Sequence, residues 1–380
     1  MKNSKQPTAI KHVEFFMLFG FAIFNVSVDA IDPRYDKKQY NPIVVNTWPF
    51  KEATKAAWAV LSGPNRGSAL DAVEQAGSAC ERLQCDRTVG FGGSPDENCE
   101  TTLDAVIMDG DSLNVGGVAD LRNISQAMRV ARLVLDRTSH SLLAGFHATQ
   151  FATSMGFKPS DLSTEESRKM CEDWKNSNCQ PNFWIPPKAS CAAVHRYGNS
   201  NSNVLNSGVP GSRKHSEDHR FRHRMSHDTI SIIALDINGS IASGSTTNGL
   251  SHKIPGRVGD AALSGGGSYS DSLVGGCGST GNGDIHLRFL LCYQAVENMR
   301  MGMSPQEAAV KAIMRIISRI GESYQGALVT LDTKGNIGAA AHGWQFSYSY
   351  QNASTGGIPM VVNVESIDHE SDLPATMKES

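Results

Sequence analysis

Along the chain the apolar positions change period several times, and each change marks an element. Residues 43–47 (Ile-Val-Val-Asn-Thr) read as a short β run. Over 51–62, Ala53, Ala56, Ala57, Val60 and Leu61 fall at helical spacing until Gly63-Pro64-Asn65-Arg66-Gly67 stops them. Ser68, a good N-cap with Asp71 three residues on, opens a second helix that runs to about residue 83. Two β runs, 101–108 and 112–118, flank Asp109-Gly110-Asp111 and predict a hairpin, with Asp-Gly supplying the positive φ of a tight turn. Helical patterns follow over roughly 125–136 and 140–155.

Between 195 and 226 the periodicity collapses into Ser, Asn, Gly, Arg and His, which predicts a long loop or linker. Order returns abruptly at His227-Asp228-Thr229. The apolar run 230–237, the turn Asn238-Gly239 and the run 240–247 predict a second hairpin of buried-strand character. A glycine-rich stretch covers 256–283, and helices are predicted over 282–300 and 304–320. The second of these has Ser304 as N-cap, Pro305 at its first position, Glu307 completing a capping box and Gly321 as its stop. Strands at 325–332, 335–341 and 345–350 close the chain. Strands and helices grouped in blocks around one linker favour a layered α+β fold over a doubly wound sheet.

Composition narrows the function. With 380 residues, 40% of them hydrophobic, the chain can bury a substantial core, and 35 Lys+Arg against 38 Asp+Glu leave a net charge of -3. That balance offers no footprint for a polyanion, so no nucleic-acid partner is expected. Lys2, Lys5 and Lys11 precede the apolar run FFMLFGFAIF, and Val28-Asp29-Ala30 places small residues at a cleavage site; residues 1–30 read as a signal peptide. The competing reading is a membrane anchor or buried helix, but the run is shorter than the ~18 apolar residues a span needs. Sequons at Asn123, Asn238 and Asn352 agree with a secretory route, in which eight cysteines permit up to four bridges. Glycine is in excess, with 36 residues against a usual share of about 7 per cent.

Several motifs are decoys. Gly276-Cys277-Gly278-Ser279-Thr280-Gly281 matches G-x-G-x-x-G, yet no hydrophobic strand leads into its first glycine, so a dinucleotide site is not expected. Its backbone N–H groups at a helix N-terminus suit an oxyanion hole as readily as a phosphate. No H-E-x-x-H or C-x-x-C pair occurs, His215, His219, His223 and His227 lie in the polar linker at a four-residue spacing that would share one face only in a helix, and there is no G-x-S-x-G elbow; neither metal nor cofactor is expected. The informative residue is Thr229. A threonine hydroxyl is a poor nucleophile unless activated, and one route makes the residue N-terminal so that its own α-amino group, of pKa about 7.7 to 8.0, serves as base. That route requires a cut before Thr229, and a linker ending abruptly at a strand that begins with threonine is what such a cut would use. On periodicity alone, Thr229 reads as an ordinary strand residue.

At His227-Asp228-Thr229-Ile230, Thr246-Thr247-Asn248-Gly249, Gly256-Arg257-Val258-Gly259-Asp260 and Thr280-Gly281-Asn282-Gly283-Asp284 the sequence closely resembles the glycosylasparaginases, which are N-terminal nucleophile hydrolases. Val44-Val45-Asn46-Thr47-Trp48-Pro49-Phe50, Val89-Gly90-Phe91-Gly92-Gly93-Ser94-Pro95-Asp96 and Thr101-Thr102-Leu103-Asp104-Ala105 extend the resemblance over nearly the whole mature chain. It implies a four-layer αββα sandwich. It also implies a precursor that cleaves itself between Asp228 and Thr229 into an α chain, 31–228, and a β chain, 229–380, of one domain. Two αβ units would form an (αβ)2 heterotetramer in the lysosome.

The resemblance further implies Thr229 as nucleophile, Thr247 as its support, and Thr280 with Gly281 as oxyanion hole. Arg257 would hold the substrate α-carboxylate, Asp260 the α-ammonium, and Trp48 would shape the pocket. Thr88 stands where the family commonly has the serine that meets the new α-amino group. Cys80–Cys85 and Cys179–Cys191 match family disulfides, while Cys99 and Cys171 have no obvious counterpart and Cys277 with Cys292 either pair or stay free. Three functions compete: hydrolysis of N-acetylglucosaminyl-asparagine, an L-asparaginase or isoaspartyl peptidase of the same superfamily, and a secreted paralogue that neither processes nor turns over.

Overall fold

The computed structural model describes residues 40–185, 187–193 and 229–367, together with four two-residue strands near the N-terminus. There, Glu14–Phe15 pairs with Val26–Ser27 and Leu18–Phe19 with Ala22–Ile23. The rest of the predicted signal peptide, the 195–226 linker with its histidines, and Asp228 lie outside the described residues. Among the described residues no helix is long and apolar enough to cross a membrane.

From Tyr40 onward the elements are β1 (Ile43–Thr47), α1 (Lys51–Ser62), α2 (Ala69–Leu83), β2 (Thr102–Asp109), β3 (Val115–Arg122), α3 (Ala127–Arg137), β4 (Leu142–Ala144), α4 (Gly145–Ser154) and α5 (Glu165–Asn176). After the linker come β5 (Ile230–Leu235), β6 (Ile241–Thr247), β7 (Ser268–Asp271), β8 (Gly275–Gly281), α6 (Gly283–Phe289), α7 (Leu291–Arg300), α8 (Pro305–Ile320), β9 (Gly326–Asp332), β10 (Ile337–His342), β11 (Phe346–Asn352) and β12 (Met360–Val364). One sheet has eight strands in the order β12-β11-β1-β5-β6-β2-β3-β4, and the other has four in the order β7-β8-β9-β10. All neighbours are antiparallel except β3 and β4.

Strand alternation builds the layers. On β5, Ile230, Ile232 and Ala234 join the apolar cluster under helices α1–α4, while Ile233 and Leu235 point the other way. There they meet Ala327, Val329 and Leu331 of β9, whose alternate residue Leu328 packs with α7 and α8. Three apolar layers therefore separate four structural ones, the αββα sandwich of the expected α+β class. A period of two with both faces buried explains why these strands read as continuous apolar runs.

Besides the predicted helix over 140–155, which begins as strand β4 with α4 only from Gly145, the structure departs from the sequence reading in three places. The glycine-rich stretch, to which no element was assigned, contains β7 and β8, with the G-x-G-x-x-G motif inside β8. A Cβ on Gly278 would stand 2.8 Å from the Ser231 Cβ, so glycine is what lets the two sheets approach here. Secondly, the predicted helix 282–300 is broken at Leu290 (φ 50°) into α6 and α7. The Gly265 carbonyl takes the Tyr293 N–H at 3.0 Å and Cys292 is tied to Cys277, which swings α7 onto β8 and leaves α6 at the strand end. Thirdly, the β2–β3 turn places its positive φ at Leu113, not at Gly110. Gly110 instead pairs with the Ile241 carbonyl, where a Cβ would come within 2.4 Å of that oxygen. Four disulfides form: the two expected pairs plus Cys99–Cys171 and Cys277–Cys292.

Candidate active site

The expected residues converge at one end of the two sheets. Antiparallel pairing sets the C-terminal ends of β1 and β6 beside the N-terminal end of β5, placing Thr47, Thr247 and Thr229 together. Thr229 is buried, and Thr47 grips it: the Thr47 hydroxyl donates to the Thr229 carbonyl (2.8 Å) and accepts the Ser231 N–H (2.9 Å). Ser231 then donates to the Ser279 carbonyl at 2.6 Å, which fixes the end of β8, with Thr280 and Gly281, against the end of β5.

Trp48 closes one side. Its backbone is held at φ 65° and its ring stands edge-on to Trp344 and Phe346, each 5.3 Å away. From there the indole N–H donates to the Thr280 hydroxyl oxygen at 3.0 Å. Gly281 has φ +131°, and a Cβ on it would come within 2.5 Å of Gly326 Cα. Glycine is therefore required where an amide is to be presented at this strand end.

Thr88 reaches the site through its backbone. Its carbonyl accepts from Asn248 N–H at 2.7 Å and, more weakly, from the Thr247 hydroxyl at 3.5 Å, while its own hydroxyl lies 3.5 Å from the Cys85 carbonyl. The Cys80–Cys85 disulfide bounds the turn that carries it. Arg257 and Asp260 both border Gly283: a Cβ there would stand 3.1 Å from an Arg257 nitrogen and 2.6 Å from Asp260 Oδ1. The Arg257 guanidinium pairs with the half-exposed carboxylate of Asp284 at 2.9 Å. Asp260 is buried, with Oδ2 on His286 Nδ1 at 2.8 Å.

Residues with no role assigned from sequence complete the site. Buried Asp104 accepts the Gly259 N–H at 3.0 Å and the Asp120 N–H at 2.9 Å, anchoring the loop that carries Arg257 and Asp260. Lys253, wholly buried, donates to the Asn248 carbonyl; burial lowers its pKa, the nearby Asp104 carboxylate opposing that shift. Thr47 and Asp104 both stand in segments that resemble the family, but the contacts that give them work span more than 150 positions. Cys179–Cys191 closes the segment that follows α5. Among the described residues no group of three or more His, Cys, Asp or Glu side chains is placed to hold a metal ion.

Taken together, the site offers a buried threonine at a strand end, hydroxyl and amide donors on the facing strand, and a paired cation and anion beyond them. Groups of these kinds suit the hydrolysis of an amide. Residues 31–358 match the family model described as asparaginase. The chain belongs to the asparaginase family. Among its asparaginase relatives, N(4)-(beta-N-acetylglucosaminyl)-L-asparaginase of Mus musculus is 47% identical over 321 residues, covering 82% of this chain and 88% of the relative. A probable isoaspartyl peptidase/L-asparaginase 3 of Arabidopsis thaliana is 46% identical over 339 residues, covering 87% and 92%. A putative N(4)-(beta-N-acetylglucosaminyl)-L-asparaginase of Drosophila melanogaster is 45% identical over 311 residues, covering 80% and 76%. The family assignment makes the protein an amidohydrolase of the N-terminal nucleophile superfamily, and its four disulfides suit a secretory route.

Proposed function

We propose that the protein hydrolyses the bond between N-acetylglucosamine and the asparagine side chain, using Thr229 freed by intramolecular cleavage after Asp228. The observation that carries this reading is the grip of Thr47 on Thr229 at the strand end shared with Thr247, Thr280 and Gly281. In processing, the Thr229 hydroxyl attacks the Asp228 carbonyl and the C–N bond breaks to give an ester. Water hydrolyses that ester and leaves Thr229 with a free α-amino group.

In turnover that amine takes the hydroxyl proton as Thr229 Oγ attacks the substrate's side-chain amide carbonyl. Thr280 O–H and the Gly281 N–H receive the negative oxygen, and Thr247 supports the nucleophile. The C–N bond breaks, the glycosylamine leaves with the proton, and water releases aspartate from the β-aspartyl ester. Arg257 binds the α-carboxylate, Asp260 the α-ammonium, and Trp48 shapes the pocket. Thr88, in place of the usual serine, meets the new α-amino group. Two αβ units associate as an (αβ)2 heterotetramer that works in the lysosome.

N-terminal sequencing of the mature protein tests the nucleophile: a second chain beginning at Thr229 is expected, and Thr229→Ala should remain one chain and release no aspartate from N-acetylglucosaminyl-asparagine. A wild-type protein that persists as a single band on reducing gels would instead favour an unprocessed paralogue. The name of the Arabidopsis relative favours a second reading, isoaspartyl peptidase or L-asparaginase. Relative kcat/KM on the glycosylated substrate and on an isoaspartyl dipeptide decides between them.

A further inference from the structure

Behind Asp260 lies a buried polar chain that the reaction described above does not use. Asp260 Oδ2 meets His286 Nδ1 at 2.8 Å, and His286 Nε2 meets the Tyr324 hydroxyl at 2.8 Å. Ser279, the residue before Thr280, adds its hydroxyl to the same carboxylate oxygen at 3.3 Å. His286 and Tyr324 are both 0% exposed, so water cannot substitute for either bond. The three residues come from separate elements: a short turn at Asp260–Ala262, helix α6, and the segment before β9. Space for the chain is reserved, since a Cβ on Gly326 would lie 2.2 Å from the Tyr324 hydroxyl and 2.7 Å from His286 Nε2. Gly326 is also the residue on which Gly281 packs.

The polarity of the chain follows from chemistry. Burial pushes the Tyr324 hydroxyl well above the usual phenol range, and the Asp260 charge adds to the shift, so Tyr324 keeps its proton and donates it to Nε2. An imidazole that accepts at Nε2 carries its hydrogen on Nδ1 and donates it to Asp260. The other charges near this end are Arg257 and Asp284, paired beside Gly283, and His342 stacks on Tyr324 at 6.0 Å.

We propose that His286 is a positioning residue for substrate binding: with Tyr324 fixing its tautomer, it holds Asp260 by Oδ2 so that Oδ1 is presented on the Gly283 side to the substrate's α-ammonium. The inference rests on the reading of Asp260 as the ammonium ligand. Because His286 touches neither the nucleophile nor the oxyanion donors, its work lies in binding and not in bond breaking.

Steady-state kinetics on N-acetylglucosaminyl-asparagine, with the processed full chain, tests this. His286→Leu should raise KM about 10- to 100-fold, the worth of one charge-assisted hydrogen bond, and leave kcat nearly unchanged. His286→Asn, whose amide N–H can stand near the position of Nδ1, should recover most of the loss. Tyr324→Phe should raise KM by a smaller factor in the same direction. Asp260→Asn is measured alongside. If it leaves KM unchanged, the reading of Asp260 fails and takes this inference with it. If Asp260→Asn raises KM while the His286 and Tyr324 variants, cleaved to two chains, do not, the inference alone is overturned. Equal loss in kcat and kcat/KM with no rescue by His286→Asn also overturns it. Should His286→Leu not fold, Tyr324→Phe and His286→Asn decide on the same criteria.

Discussion

Trp48 spends an unfavourable backbone conformation, φ 65°, to set its indole N–H on the Thr280 oxygen. With that lone pair occupied, the Thr280 hydroxyl proton is turned away from Trp48, as its proposed oxyanion role requires. Trp48→Phe keeps an aromatic ring against Trp344 and Phe346 but removes the N–H that orients the hydroxyl; kcat should fall about tenfold, the worth of one neutral hydrogen bond, with a smaller change in KM. An unchanged kcat in the folded, processed variant would remove Trp48 from oxyanion positioning. Thr229, Thr280 and Arg257 could be proposed from sequence because each stands inside a distinctive stretch of residues. The partners that make them usable were not: Thr47 reaches Thr229 across 182 positions and Asp104 reaches Gly259 across 155. No local pattern encodes such contacts, which exist only once the strands are in register.

Elements whose ends are defined by their own side chains were equally readable. Ser68 with Asp71 and Ser304 with Glu307 form reciprocal capping boxes, and both helices start where those pairs place them. β8 was hidden because glycine carries no strand preference; its four glycines serve the facing sheet and the site instead. The break at Leu290 was hidden too, since it answers to the Gly265 carbonyl and to the Cys277–Cys292 bond. That bond joins β8 to α7 over 15 residues, Cys99–Cys171 joins the lead-in to β2 with α5 over 72, and Cys80–Cys85 spans five. From the chain entropy each removes, paired Cys→Ala substitutions should cost about 4 kcal/mol for Cys99–Cys171, about 3 for Cys277–Cys292 and about 2 for Cys80–Cys85. Urea midpoints of the three double variants check the order, and a reversed ranking would show that local packing outweighs loop length.

At the scale of the molecule, strand β1 from before Thr229 lies between β11 and β5 from after it, and β6 pairs with β2, so each half of the core is completed by the other. The stability of that shared core depends on pH through two buried groups with opposite signs. Glu81 of α2 lies under the large sheet, where burial raises its carboxyl to about 8; Thr246 O–H and Met128 N–H on Oε1 offset this only in part, and Oε2 has no partner. As pH rises from about 4.5 towards 8, the unfolded chain releases this proton while the folded one retains it. Stability therefore falls by about 1.4 kcal/mol per unit, or about 3 kcal/mol between pH 5 and pH 7.5. His252, stacked on Trp174 at 4.6 Å, is lowered to about 4 by burial. Below about 6.5 the unfolded chain takes up a proton that the folded one refuses, so this contribution is lost as pH falls towards 4, and solvent reaching the ring makes it the smaller of the two. The two slopes leave a stability maximum on the acidic side of neutrality. Glu81→Gln should raise Tm relative to wild type at pH 7.5 and change it little at pH 5, whereas His252→Phe, which keeps the stack, should raise it at pH 4.5 and leave pH 7.5 unchanged. Thermal unfolding of both variants across pH 4.5 to 8 checks the signs, and parallel wild-type and Glu81→Gln curves would mean that Glu81 does not hold its proton in the folded protein.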